Sequence, residues 1–515
     1  MAPSFHIENF GCRAARADGE AIAALLRSDG ATEDRIGAAD VVIVNTCSVT
    51  AEADREARAY IRRAHRLNPD ARIIATGCYA QRAPAELAAL PGVAAVIGNS
   101  HKALAPEIAL GFLKSCSHPQ KRDELIQIEA AQAAAAAPQV LADDTFAHSF
   151  LEEAPIVPGV QTRPNLKIQE GCSNRCSFCV IPQTRGNSHS LPAASIFEHV
   201  RSFVAAGGNE MVLSGINLGR WGRDLKGESQ CEKGTGFSPY LAASKMNGAS
   251  APEGIQPRTL SALVRAIFER TTLPRLRLSS IEPMDWDADL IAVIREFAGS
   301  RLARHAHLPL QSGSDSVLRR MHRRYRPWHY AEKIEELLRA AGPALTLGAD
   351  VMAGFPGETD REFQESYDFI RGLPFGYLHL FPFSPRPGTR AWAFHAESPV
   401  SPRVVDERIA ALRALAAEKT RCHRAQFIGT ELEAITLHTR PELAASGSTS
   451  ALSENFLPVE LCASLSANLL VRIQVDGLAD DNTVLASLAL SSSDDGRSQV
   501  GKNLFSIDPV LESVL

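Results

Sequence analysis

Cys172, Cys176 and Cys179 fall within the run Glu170-Gly-Cys-Ser-Asn-Arg-Cys-Ser-Phe-Cys-Val180. Thiolates at this CxxxCxxC spacing can hold three irons of a 4Fe–4S cubane, where a purely electron-transferring cluster usually takes four cysteines. The missing fourth ligand leaves one iron open, and an open coordination position marks a catalytic metal site rather than a structural one. A zinc knuckle or three unrelated core thiols are the competing readings. A second set is dispersed along the first third of the chain. Cys12, Cys47 and Cys78 each follow a short apolar segment, 35 and 31 residues apart. In a sheet built from βα units the strand C-termini share one edge, and ligands bind there. These thiols therefore either converge on a second three-cysteine site or are separate buried cysteines, a common fate of free Cys.

The elements that must position these residues form three segments. Residues 1–115 alternate apolar strands (Phe5–Phe10, Val41–Asn45, Arg72–Thr76, Ala94–Ile97) with amphipathic helices (Asp18–Arg27, Ala51–Arg66, Pro84–Leu90, His101–Phe112). That is the pattern of a parallel α/β sheet. Residues 116–160, with the run Glu129-Ala-Ala-Gln-Ala-Ala-Ala-Ala-Ala-Pro138, read as a linker. A second α/β series occupies residues 161–395, with strands at Leu166–Gln169, Met211–Ile216, Leu276–Ile281, His305–Leu310, Leu345–Met352 and Tyr377–Phe383. Its βα units suit an open, partial (β/α)6 barrel better than a closed eight-fold one. Residues 224–258, which carry Cys231, read as a surface insertion. Period-2 alternation within 425–485, clearest at Leu469–Gly477, predicts a small β-barrel, and 486–515 form a C-terminal tail.

The strand ends of the second series carry further polar and glycine positions: Leu213-Ser-Gly-Ile-Asn217, Gln311-Ser-Gly-Ser314 and Gly354-Phe-Pro-Gly-Glu-Thr-Asp-Arg-Glu362. Thr359 and Glu362 form a capping-box pattern, so the last loop has a structural reading as well as a ligand-binding one. The run Arg319-Arg-Met-His-Arg-Arg-Tyr-Arg326 is either a solvated face or a phosphate contact made by Arg319, Arg320, Arg323 and Arg324. The chain has 515 residues, 45% hydrophobic and 22% charged, enough for several globular cores. No apolar run reaches the length of a membrane span, and the N-terminal residues lack a secretory signal. Ten cysteines without an export signal read as reduced thiols, so a cytoplasmic location without membrane attachment is expected. A net charge of -5 requires any nucleic-acid partner to be held by a local basic surface.

The two cysteine sets together resemble the radical S-adenosylmethionine methylthiotransferases, over roughly residues 5–480. Asn45-Thr-Cys-Ser-Val-Thr50, Thr76-Gly-Cys-Tyr-Ala-Gln81, Leu166-Lys-Ile-Gln-Glu-Gly-Cys172 and Ser279-Ser-Ile-Glu-Pro283 are similar to the branch acting on threonylcarbamoyladenosine in tRNA. The C-terminal β segment resembles the RNA-binding TRAM module. The resemblance implies a radical S-adenosylmethionine core over 161–395. It implies that Cys172, Cys176 and Cys179 hold a radical 4Fe–4S cluster whose open iron chelates S-adenosylmethionine. Cys12, Cys47 and Cys78 would hold an auxiliary 4Fe–4S cluster that carries the sulfur to be transferred. Phe178, Gly215, Asn217, Glu282, Gln311 and Gly354 are the implied cofactor contacts. The implied partners are the anticodon arm of tRNA and an electron donor such as flavodoxin or ferredoxin. An aromatic C–H bond offers no acidic proton and no leaving group, so the cofactor must carry the hard step. Isopentenyladenosine in tRNA and a ribosomal-protein side chain are competing substrates. A non-catalytic iron–sulfur or zinc protein that binds RNA is the reading from another class. The chain departs from some branches after Cys12, where Arg13-Ala-Ala15 contains no Asn, and after Arg185-Gly186, where Ser190-Leu191 replaces Ser-Arg.

Overall fold

A computed structural model describes residues 3–116, 137–146, 162–225 and 256–489. The expected surface insertion with Cys231, the side chain of Cys116, most of the expected linker and nearly all of the expected tail lie outside the described residues.

The chain opens with a six-stranded sheet in the order β2-β1-β3-β4-β5-β6. Its strands are β1 (Ser4–Asn9), β2 (Thr32–Glu33), β3 (Val41–Thr46), β4 (Arg72–Gly77), β5 (Val93–Gly98) and β6 (Gln139–Leu141), all paired in parallel. Val41–Val44 and Ile73–Ala75 are wholly buried, as strands covered on both faces must be. Three local expectations are corrected. The first helix, α1, runs Arg13–Ser28 and starts directly after Cys12, not at Asp18. Asp18 looks like a helix start in sequence, but here it is buried in the second turn, where cations from distant segments satisfy its charge. The expected helix over His101–Phe112 divides into a 3₁₀ stretch, Asn99–Leu104, and an α-helix, Ala105–Cys116. Part of the expected linker, Gln139–Leu141, adds an edge strand to β5.

The central unit is built from β7 (Asn165–Glu170), β8 (His189–Ser190), β9 (Glu210–Gly215), β10 (Arg275–Leu278), β11 (His305–His307), β12 (Thr346–Ala353) and β13 (Phe375–Pro382). These pair as β10-β9-β7-β8 and β11-β12-β13, with β8 antiparallel to β7 and the other pairs parallel. The Ile281 amide donates to the His307 carbonyl at 3.0 Å, joining the two sheets into one curved wall. Among the described residues no ladder joins β13 to β7, so the barrel is open on that side. Helix α1 packs against β7 and β9. The sequence pattern did not anticipate the 24-residue helix Pro402–Ala425, which starts on a Ser401 cap with Pro at its first position and packs on β13.

The C-terminal unit is a closed barrel, β14-β15-β16-β18-β17. Its strands are β14 (Glu431–Thr436), β15 (Thr449–Ser453), β16 (Pro458–Leu461), β17 (Leu470–Leu478) and β18 (Val484–Leu488). It docks at the N-terminal ends of the core strands. Arg275 pairs with Glu433, Arg304 pairs with Glu454, and Arg277 donates to the Ser453 carbonyl at 3.1 Å. Behind this seam Glu210 is fully buried among Arg277, Arg163 and Arg275. Burial raises its pKa, but the three guanidiniums outweigh that and bring it to about 2. A depressed carboxylate stabilises the fold above its unfolded pKa of about 4.3, and that stability is lost as pH falls through the folded value. Glu210 is therefore expected to contribute about 3 kcal/mol at neutral pH that disappears between about pH 4.5 and 2. Urea midpoints of the wild type and Glu210→Gln across that window check this: the variant should start lower and show the flatter pH profile.

Candidate active site

The register of the first sheet assembles one cysteine set. Asn9 pairs with Asn45, Asn45 with Thr76, and Thr46 with Gly77, so β1, β3 and β4 end side by side. Cys12, Cys47 and Cys78 follow those three ends and share one edge. Gly11 and Gly77 both take φ +98°, a region that favours glycine. A Cβ on Gly11 would stand 2.6 Å from Cys47 Sγ, so only glycine lets Cys12 and Cys47 approach. Burial, with Cys78 and Cys12 beside it, pushes the Cys47 thiol up to about 12. Three thiols held this close resist ionisation unless a cation joins them.

The other set lies just beyond β7. The Cys172 amide donates to the Gly186 carbonyl at 3.0 Å, and the Asn174 amide donates to Cys172 Sγ at 3.4 Å. Burial raises the Cys172 thiol, and burial with Cys176 pushes Cys179 up to about 12. Arg323 donates to Cys176 Sγ at 3.2 Å and to Glu282 at 2.6 Å. This overturns the reading of Arg323 as a phosphate contact. It is buried because Val317, Leu318 and Met321 pack into the core and turn that face of the run inward. Arg319 pairs with Asp315 and Arg320 with Glu362, while Arg324 is exposed.

Five expected cofactor positions lie at the ends of core strands at this mouth: Gly215 ends β9 and Asn217 follows it, while Glu282 comes after β10, Gln311 after β11 and Gly354 after β12. The Asn217 amide nitrogen is held by the Gln169 side chain at 2.6 Å. Glu282 is committed to Arg323. Gln311 takes φ +66°, an unusual conformation for a residue with a side chain, as its backbone pairs with Asp350 and Met352. Phe178 packs on the barrel core. Gly354 has a packing reason to be glycine. Its amide donates to Glu358 at 2.7 Å, and a Cβ there would lie 2.5 Å from Val405. The capping box of Thr359 and Glu362 forms as the sequence pattern implies.

The two sets are joined by residues the sequence did not single out. The short helix Ile181–Arg185 begins two residues after Cys179 and ends on Arg185, whose Nε donates to Cys78 Sγ at 3.3 Å. Six residues of largely helical chain plus one arginine span no more than roughly 20 Å, which bounds the separation of the two sulfur sets. Asn99 adds a second donor to Cys78 Sγ at 3.3 Å. Arg185 also pairs with Glu170 at 2.8 Å and Asp18 at 3.2 Å, and these carboxylates hold Lys102 and Lys167. All five side chains are nearly or wholly buried. Three cations face two carboxylates, so the nest carries an excess positive charge on the side of Cys78. Inside the barrel, His307 and His379 flank Asp350 at 3.1 and 3.2 Å, and His305 and His307 both contact the Tyr377 hydroxyl. The ligand atoms of His307, Asp350 and His379 lie within 4.8 Å of one another, although hydrogen bonds already use them. Cys422 and Cys462 are exposed and join neither set.

The donor sets suit iron–sulfur clusters. Every described cysteine is free, and neither triplet forms a group with all three sulfurs within 4.8 Å. Thiolates around one tetrahedral zinc would be about 3.8 Å apart. Arg185 Nη2 is buried without a partner beside Cys78, a donor left for a sulfide.

Residues 4–98 match the uncharacterized protein family UPF0004, and residues 166–370 match the Radical SAM superfamily. The chain is similar to the threonylcarbamoyladenosine tRNA methylthiotransferase MtaB of Bacillus subtilis, 34% identical over 88% of this chain and 89% of that one. This chain belongs to the radical S-adenosylmethionine methylthiotransferase family. A second MtaB, from Aquifex aeolicus, is 31% identical over 85% of this chain and 91% of its own. The tRNA-2-methylthio-N(6)-dimethylallyladenosine synthase of Geobacter sulfurreducens is 31% identical over 82% and 84%. Within a methylthiotransferase the bridge from Cys179 through Arg185 to Cys78 links the two cysteine sets that the sequence displayed separately.

Proposed function

We propose that this methylthiotransferase adds a methylthio group to carbon 2 of threonylcarbamoyladenosine 3′ of the anticodon in tRNA. The observation that carries the reading is the meeting of two three-cysteine sets across Arg185, each one ligand short of four. Cys172, Cys176 and Cys179 would hold the radical cluster, and Cys12, Cys47 and Cys78 the auxiliary one. When bound, the two clusters and S-adenosylmethionine supply the radical and the sulfur. The chain's own residues do the rest. Arg323 and Asn217 steady the sulfurs of the first set, and Gln311 and Glu282 line the mouth where the cofactor would lie. Arg185 and Asn99 donate to the Cys78 sulfur. Gly11 and Gly77 bring the second set together, and α1 packs against β7 and β9 of the core wall.

The substrate branch is supported by the MtaB relatives, which are named for threonylcarbamoyladenosine. Dimethylallyladenosine is the second reading, favoured by relatives of nearly the same identity. We assign the chain to functional units at 1–115, 161–395 and 425–485, with the last as the RNA-binding module. The proposed reductant is flavodoxin or ferredoxin, and the proposed compartment is the cytoplasm. No helix among the described residues is long and apolar enough to cross a membrane. An overall acidic chain must concentrate its phosphate contacts, so affinity for tRNA should fall steeply with salt. Nucleoside mass spectrometry of tRNA from a deletion strain tests the assignment. Loss of the methylthio-threonylcarbamoyl nucleoside with methylthio-isopentenyladenosine intact is expected, and the reverse pattern transfers the enzyme to the other branch.

A further inference from the structure

Arg13 directly follows Cys12 and opens α1, yet among the described residues its guanidinium has neither an ion pair nor a hydrogen bond. Its side chain is half-buried. It lies 5.6 Å from the ring of Phe456, a residue of the C-terminal barrel that projects to the floor of the core barrel. Phe456 takes φ +69°, and the turn that carries it is held by the Arg304–Glu454 pair and by Arg277 on the Ser453 carbonyl. A bulky aromatic residue in that conformation is strained and persists where surrounding contacts impose it. Around the same ring, His305 stacks at 4.2 Å and Arg277 sits at 5.3 Å. Two of these neighbours have unspent polar atoms, since Arg277 Nη1 and His305 Nδ1 are buried without partners.

The charges on this floor do not cancel. Arg163, Arg275 and Arg277 share Glu210 and Glu433, and the positive charges of Arg277 and Arg16 also bear on Arg13. Asp350 is the remaining nearby carboxylate, and His307 and His379 hold it. A half-buried cation without an ion-pair partner is a good receiver of an anion.

We propose that Arg13, seated on Phe456, receives the carboxylate of the threonylcarbamoyl group and so selects this substrate over an adenosine with an apolar substituent. The inference rests on the substrate reading above. The reach is suitable. Adjacent Cα atoms are about 3.8 Å apart, so an extended guanidinium on residue 13 lies on the order of 8–10 Å from the sulfur of residue 12. The substituent on N6 places its carboxylate on the order of 8 Å from carbon 2 by ordinary bond lengths. Sulfur delivered at carbon 2 and charge recognition at Arg13 can therefore act on one base. A dimethylallyl group offers nothing for this cation to bind and would leave it unpaired.

The test uses the full chain with its clusters reconstituted, and fluorescence anisotropy with anticodon stem-loop RNAs. The RNAs carry unmodified adenosine, threonylcarbamoyladenosine, its methyl ester or isopentenyladenosine. The wild type should prefer the free carboxylate over the ester and over adenosine. Arg13→Gln should lose about 30-fold or more for the threonylcarbamoyl RNA and leave the adenosine and ester RNAs unchanged. Arg13→Lys should keep part of the preference. Equal binding of the threonylcarbamoyl RNA by wild type and Arg13→Gln, with the wild-type preference intact, overturns the proposal and spares the substrate reading. Parallel loss for every RNA also overturns it, since Arg13 would then serve the backbone or the fold. A wild type that prefers isopentenyladenosine overturns the substrate reading, and this inference with it.

Discussion

Converting Cys172, Cys176 and Cys179 together to Ala is expected to abolish 5′-deoxyadenosine formation while leaving about half of the iron in place. Converting Cys12, Cys47 and Cys78 should do the opposite, preserving cleavage of S-adenosylmethionine but ending formation of the methylthio product. Two 4Fe–4S clusters correspond to about eight irons per chain, so each triple variant should retain about four. The separation is expected because the sets belong to different structural units. One forms on the edge of the first sheet through strand register, the other in the loop after β7. Neither contributes a cysteine to the other. Iron and sulfide assays, anaerobic spectra and mass spectrometry of the two products check this. A Cys12/Cys47/Cys78 variant that still methylthiolates would sink the assignment of the second set, and a colourless, iron-free wild type would sink both.

The second large effect belongs to Arg185. Arg185→Met should cost about 1.5–3 kcal/mol of stability, because Asp18 and Glu170 lose a charged donor while Lys102 and Lys167 still balance their charge. It should also alter the auxiliary cluster. Loss of the N–H donor to Cys78 removes positive charge beside a sulfur, and so lowers the reduction potential. The shift should be roughly 60 mV, the one-electron equivalent of about 1.4 kcal/mol for a hydrogen bond to a charged group. Potentiometric electron paramagnetic resonance in the Cys172/Cys176/Cys179→Ala background isolates that cluster. Arg185→Lys keeps the charge but cannot serve Cys78 and two carboxylates at once, so it should recover more stability than potential. An unchanged potential in Arg185→Met would show that the arginine only holds the two units together.

Both outcomes bear on how much of this protein is legible without coordinates. Cys172, Cys176 and Cys179 could be read directly because their chemistry depends on spacing along the chain. Cys12, Cys47 and Cys78 needed one further step, from apolar segments to parallel strands whose ends share an edge. Hydrophobic periodicity carries that step. The central strands could be read in the same way, while the long Pro402–Ala425 helix, with most of its surface polar, was missed.

Charged residues were the reverse case. In sequence, Arg319 to Arg326 is one basic run, yet folding turns Arg323 inward to Cys176 and leaves Arg324 in solvent. Asp18 looked like a helix start, and its cations come from residues 102, 167 and 185. Arg185 reaches a sulfur 107 positions away, and Phe456 comes from another unit to lie under Arg13. Spacing and apolar period are local properties, so the sequence by itself determined the cysteine sets and most of the elements that carry them. Burying a charge is stable only when a partner meets it, and the partners here lie in other elements. Which charges serve the site was therefore decided by tertiary packing alone.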